Sequence, residues 1–219
     1  MVWFPDALWA KIGFGVAKVL LMLAPLAWLV WVQKEKPRIP RWRGSGDKSF
    51  KGSGMLAAHA TGVLIFAAIA AVYFAVGRHW IDTAPMLEKV EQMGLNKLWL
   101  YLAGALYWCT INSLLEEYFW RWFIFERLRE VLPKSAAGIG AAVVVCGLLF
   151  TAHHVVALQV YFDWKTTALA SLGVFIGGVT WSLLYLKHRN LYAGYVSHVY
   201  ADVIIFYIGW RLIFSGAAG

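Results

Sequence analysis

The chain has 219 residues, 61% of them hydrophobic and 15% charged, with a mean hydropathy of +0.61. That balance excludes an ordinary soluble domain and reads as a polytopic membrane protein. The net charge of +8 comes from basic residues gathered beside apolar runs, which fits anionic lipid and membrane topology; with no recognition motif present, nucleic acid is excluded as a partner and the lipid bilayer is expected.

At about 20 residues per span, the length admits roughly six helices joined by short loops. The expected fold is an all-α polytopic helical bundle, one membrane domain over residues 1–219. Six apolar stretches can be drawn: Ile12 to Val32, Met55 to Gly77, Leu98 to Phe125, Ala136 to Leu158, Thr166 to Leu186 and Leu191 to Ile213. Lys11 and Lys18 interrupt the start of the first, where long side chains can snorkel to the interface. No basic n-region or small-residue cleavage site precedes it, so a cleaved signal peptide is not expected.

Residues 33–54 carry Lys34, Lys36, Arg38, Arg41, Arg43, Lys48 and Lys51 and read as a basic loop that the positive-inside rule places in the cytoplasm. Alternation adds Arg127, Arg129, Lys134, Lys187 and Arg189 to that side, against Arg78, Lys89, Lys97 and Lys165 on the other. Both termini then lie outside the cytoplasm. Ile81 to Met93 fits either an interfacial amphipathic helix or a polar loop. Trp28, Trp31, Trp80, Trp99, Trp164 and Trp210 recur near the ends of apolar runs, where indoles favour the headgroup level. Cys109 and Cys146 fall inside apolar segments and make neither a zinc framework nor a disulfide scaffold.

Three polar islands break the apolar stretches: Glu116 and Glu117 with Arg121, then His153 and His154, then His198 with Asp202. A charge at bilayer depth costs about 2.5–3.5 kcal/mol on insertion scales, so these residues need partners or a function. Glu116 lies 18 residues before Lys134 and His154 lies 20 after it, so a hairpin turning at Pro133-Lys134-Ser135 brings them to similar heights. His198 follows the basic turn Lys187-His188-Arg189 by roughly 13 Å of helix, and Glu117 precedes Glu126 and Arg127 by the same distance. A shared depth below the cytoplasmic surface follows. The apolar stretch Ala136 to Val145 must then begin outside the hydrocarbon, packed on the extension from Glu126 to Leu132.

Glu117 and Arg121 are spaced i,i+4 with the acid first, the favourable order for an ion pair; Glu116 is left without that partner. Phe150 shares a face with His154, and His198 with Asp202, whose carboxylate could fix the imidazole. His153 points about 100° away from His154. His59, His79 and His188 lack such partners, and Gly173, Gly177 and Gly178 suit close helix packing. Two chemistries fit Glu, His and His together: Glu116 as general base on water with the histidines binding the carbonyl or its oxyanion, or a zinc ion held by Glu116, His154 and His198. No HExxH helix is present. A charge network that merely stabilises the bundle of a non-enzymatic immunity or sorting factor is the rival reading; a transporter is disfavoured by the absence of an inverted repeat.

The ordered patterns Glu116-Glu117 with Arg121, Phe150 with His154, and His198 with Asp202 resemble the EExxxR, FxxxH and HxxxN/D motifs of the CPBP family of intramembrane proteases, which includes the type II CAAX prenyl proteases and bacterial Abi-type proteins. The resemblance covers residues 98–208. It implies a catalytic core there: an intramembrane endopeptidase of a group often called metalloproteases, in which Glu116 activates water, Glu117, Arg121, His154, His198 and Asp202 complete the site, and a membrane-associated or lipid-modified polypeptide is the substrate. A multi-pass protein of a bacterial or archaeal cell membrane, with its site opening to the cytoplasm, is the matching expectation. Where prenyl proteases have Asn, this chain has Asp202, and an ionised carboxylate cannot donate the amide hydrogen bond that an oxyanion needs. Asp202 is therefore read as orienting His198, or as protonated.

Overall fold

The computed structural model describes Val16, Val19 and residues 22–34 and 54–215. Among them there is no strand, and the chain is an integral, multi-pass, all-α membrane bundle. Five helices are long and apolar enough to cross a membrane: α2 (Met55–Trp80), α4 (Leu98–Val131), α5 (Ala136–Leu158), α6 (Trp164–His188) and α7 (Leu191–Phe214). The shorter α1 (Met22–Val32) is the described part of the expected first span; the rest of that span, with Lys11 and Lys18, lies outside the described residues apart from Val16 and Val19. Residues 35–53 of the basic loop also lie outside them.

Local chemistry sets the helix ends. Gly54 opens α2 at φ 76°, a left-handed conformation that glycine adopts without steric penalty. The stretch after α2 contains α3 (Ala84–Gln92), with proline in its first turn and Met86 and Val90 buried while Glu88, Glu91 and Gln92 are exposed; of the two readings of Ile81 to Met93, the amphipathic helix is the observed one. Ser135, Asp163 and Asn190 each cap the helix that follows, accepting from the backbone N–H of Gly138, Thr166 and Ala193 at 3.2, 2.9 and 3.1 Å. The turn between α4 and α5 falls at Pro133-Lys134-Ser135, where the hairpin was expected.

α4 continues past Phe125 through Glu126–Val131, further than hydropathy alone predicts. The charges of that extra length pair along the helix, Arg127 with Glu130 at 2.7 Å and Arg129 with Glu126 at 3.1 Å, while Arg189 reaches Glu126 from the end of α6 at 2.8 Å. The start of α5 packs on this extension: Ala142, Val143 and Cys146 form a core with Phe125, Tyr185 and Leu191, flanked by Leu128 and Leu132. A second core joins Ala58, Phe150, Trp181, Leu184, Ala193 and Ala201 from α2, α5, α6 and α7.

Small residues let these helices approach. A Cβ on Gly178 would stand 3.1 Å from Phe150 and 3.4 Å from the Cα of Gly147, so α5 and α6 meet there with little between their backbones. Gly173, expected to serve the same purpose, faces open space, and the atoms nearest to a Cβ on the buried Gly177 belong to Trp181 of its own helix. Leu64, Leu106, Val156, Leu172 and Ile176 are exposed, as a lipid-facing surface requires. All six tryptophans assigned to the interface are exposed as well, whereas Trp181 is in the core. Cys109 and Cys146 are free and buried.

Candidate active site

α4 brings Asn112, Ser113, Glu116, Glu117 and Arg121 toward α5, α6 and α7. Two π-helical stretches, Trp108–Asn112 and Glu117–Phe125, frame this part of the helix. Their i→i+5 bonding widens the helix and rotates the residues that follow relative to a regular α-helix, which helps five side chains so close in sequence reach different partners.

Glu117 and Arg121 are almost wholly buried, with Oε1 and Nη1 3.4 Å apart, so the expected i,i+4 pair is present. Arg121 also directs Nη2 at the Gly178 carbonyl at 3.4 Å. Its guanidinium carbon lies 4.5 Å from the Phe150 ring centre and 5.2 Å from that of Trp181. Aromatic faces thus replace much of the hydration that burial removes.

The same Glu117 oxygen stands 3.1 Å from His198 Nδ1. Glu117 therefore bridges Arg121 and His198, and it, not Asp202, is the carboxylate that orients this imidazole. Asp202 is 3.8 Å from His198 Nε2 and has its other oxygen 2.6 Å from the Ser113 hydroxyl. Asp202 thus faces Nε2 of the ring from the next turn of α7 at a distance longer than a hydrogen bond, while α7 turns Nδ1 across the bundle to α4. Trp181 lies flat on the His198 ring, centroids 3.8 Å apart and planes at 15°, and donates its indole N–H to Ser197 at 3.2 Å.

His154 is oriented differently. Its Nδ1 is 2.9 Å from the Phe150 carbonyl, which can only accept, so Nδ1 carries hydrogen and Nε2 faces the site. The Nδ1 of His198, placed on a carboxylate, is assigned a hydrogen by the same logic. The two Nε2 atoms converge on one atom, Oε2 of Glu116, at 3.8 Å from His154 and 3.7 Å from His198. Oε1 of Glu116 accepts from Asn112 Nδ2 at 2.9 Å. Glu116 is 15% exposed against 1% for Glu117, so of the two carboxylates it is the one that solvent can reach.

The structure brings together Glu116, Glu117, Arg121, His154, His198 and Asp202. It leaves out His153, which is exposed with its ring 6.0 Å from Trp120. His59 instead meets the Tyr200 hydroxyl at 3.0 Å, and His79 lies 2.8 Å from Arg78. Asn112, Ser113, Trp181, Ser197 and Gly194 were not read from the sequence. Asn112 stands one helical turn before Glu116 and Ser113 one before Glu117, so a search of the α4 face for polar residues at i−4 would have found them. Trp181 and Ser197 carry no such local signal.

Among the described residues, no three His, Cys, Asp or Glu side chains are placed to hold a metal ion. The spacing of Glu116 Oε2 from the two imidazoles exceeds the roughly 3.4 Å that separates donors about 2.0–2.1 Å from a tetrahedral zinc. As placed, Glu116, His154 and His198 do not fit a zinc shell.

The family model described as type II CAAX prenyl endopeptidase Rce1-like matches residues 97–204, a stretch that holds every acid and histidine of the cluster. No curated protein and no solved structure matches the chain.

Proposed function

We propose that this chain, which over residues 97–204 belongs to the Rce1-like family of type II CAAX prenyl endopeptidases, hydrolyses a peptide bond of a membrane-associated or lipid-modified polypeptide within the bilayer. The observation that carries the reading is the convergence of His154 Nε2 and His198 Nε2 on a single oxygen of Glu116, the less buried of the two glutamates. Those separations are too long for direct hydrogen bonds and suit groups that share a water.

In this reaction Glu116 Oε2 takes a proton from the water as its oxygen attacks the substrate carbonyl carbon. Neutral His154, with hydrogen on Nδ1, accepts from the same water through Nε2 and aims it. Three carboxylates face one guanidinium here, so the cluster is closest to neutral when a histidine is charged. His198 takes that role, held through Nδ1–H by Glu117 and donating from Nε2 to the oxyanion, with Asp202 close enough to favour its charge. Collapse of the tetrahedral intermediate breaks the C–N bond. The leaving amine receives the proton held by Glu116, and the new acid releases its own to solvent. Glu117 and Arg121 hold His198 in place and do not touch the reacting atoms.

This route uses protein groups and water alone, and the site opens toward the cytoplasm on the strength of the charge asymmetry of the loops. The deciding experiment replaces Glu116 with Gln. A farnesylated peptide ending in Cys-aliphatic-aliphatic-X, in detergent micelles, should be cleaved by the wild type and not by E116Q, and membrane proteomes of E116Q cells should accumulate an unprocessed polypeptide. Cleavage by E116Q at normal protein levels would sink the assignment. Metal content and chelator sensitivity of the purified protein test the metal-free route: activity that vanishes with chelator and returns with zinc would replace it.

A further inference from the structure

We propose that Asn112 is a positioning residue that fixes the plane of the Glu116 carboxylate, so that one oxygen is held toward the two histidines; the inference rests on the reading of Glu116 given above. The two oxygens of a carboxylate are equivalent by resonance, so only their surroundings can assign them different work. Asn112 Nδ2 donates to Oε1 at 2.9 Å, which commits that oxygen and leaves Oε2 as the one both imidazoles face, at 3.7 and 3.8 Å. Without the amide, rotation about the terminal bond of Glu116 would be opposed only by those two longer contacts.

Local backbone geometry supports the same role. Asn112 ends the π-helical turn Trp108–Asn112, and the hydroxyl of Ser113 lies 2.8 Å from the Trp108 carbonyl five residues back. That turn sets two consecutive buried polar side chains at once: Asn112 on Glu116, and Ser113 on Asp202 of α7 at 2.6 Å. The three acids of the cluster are thus held by three different donors, Asn112 for Glu116, Arg121 for Glu117 and Ser113 for Asp202. Of these, only Asn112 holds the acid on which the Nε2 atoms of both histidines converge.

The test uses purified full-length protein and the farnesylated peptide probe. N112L, similar in size but without a donor, should lower kcat roughly 100-fold, the scale of a reacting group displaced by about 1 Å, with KM within about twofold of wild type. N112A also removes the donor, adds no charge and should show the same loss; it serves if N112L does not fold. A structural role would instead lower the amount of folded enzyme without changing kcat per active site. Wild-type kcat in N112L or N112A, with E116Q inactive, overturns this inference and leaves the assignment of Glu116 standing. Activity in E116Q, or no cleavage by the wild type, overturns both.

Discussion

Gly194 lies so close to Glu117 that a Cβ at position 194 would collide with the carboxylate oxygen Oε2. α7 can pass α4 at this point only because residue 194 has no side chain, and the approach sets the reach from His198 to Glu117. G194A should force the carboxylate off His198. Overpacking of this kind costs about 1–3 kcal/mol, so a lower thermal midpoint in detergent is expected, together with a fall in kcat for the farnesylated peptide larger than the loss of folded protein explains.

Arg121 gives a sharper stability test. Removing its charge leaves Glu117 ionised and buried, an arrangement that costs about 3–5 kcal/mol. R121M should therefore fold poorly, measured as yield and midpoint in detergent. R121M combined with E117Q should recover much of that stability yet stay weakly active, since the amide holds His198 less firmly than the carboxylate does. R121K should rescue little, because an ammonium cannot lie flat against Phe150 and Trp181 while reaching both Glu117 and the Gly178 carbonyl.

For Trp181 two variants separate packing from hydrogen bonding. W181F keeps an aromatic face on His198 but loses the donation to Ser197, a change of about 1 kcal/mol, together with the volume of one ring. W181A removes the ring from a buried site and should cost about 3–5 kcal/mol. If the stack orients His198, W181F should retain most of its kcat while W181A, assayed at a temperature where it is folded, should not.

The ion pair of Glu117 with Arg121 was legible because both ends lie on one helix at a spacing that local geometry decides. The depth match of Glu116, His154 and His198 was legible too, from rise per residue and one turn signal. Rotation was not. Whether His198 meets Asp202 on its own helix or Glu117 on another depends on how α7 is turned, and that is set by Gly194, Trp181 and the π-helical stretches of α4, none of which has a hydropathy signature. The length of α4 was underread because Glu126, Arg127, Arg129 and Glu130 look like a loop by composition, whereas in the structure they neutralise one another along a helix.

Outside the spans, Asp163 predicts a pH effect. Hydrogen bonds from the Thr166 side chain and from its backbone N–H hold the Asp163 carboxyl below the usual carboxylate range. The sign follows: a group whose pKa is lowered on folding adds stability above its ordinary value and loses it as pH falls through the lowered one. Between about pH 6 and about pH 3, the thermal midpoint of the wild type should drop further than that of D163N, which caps without ionising. Parallel curves would remove Asp163 from the acid response.

The matched stretch begins at residue 97, yet α7 leans on a helix that precedes it. Tyr192 meets the Met55 sulfur at 2.9 Å, Ser197 takes the Thr61 hydroxyl at 3.0 Å, and Tyr200 meets His59 and fills the notch at Gly62. These contacts lie beside His198 on both sides along the chain. A fragment cut at the family boundary would leave the Tyr200 hydroxyl without His59 and strip Ser197 of the Thr61 hydroxyl, so the smallest autonomous unit that keeps His198 in register begins at α2, some forty residues earlier than recognition by motif would draw it.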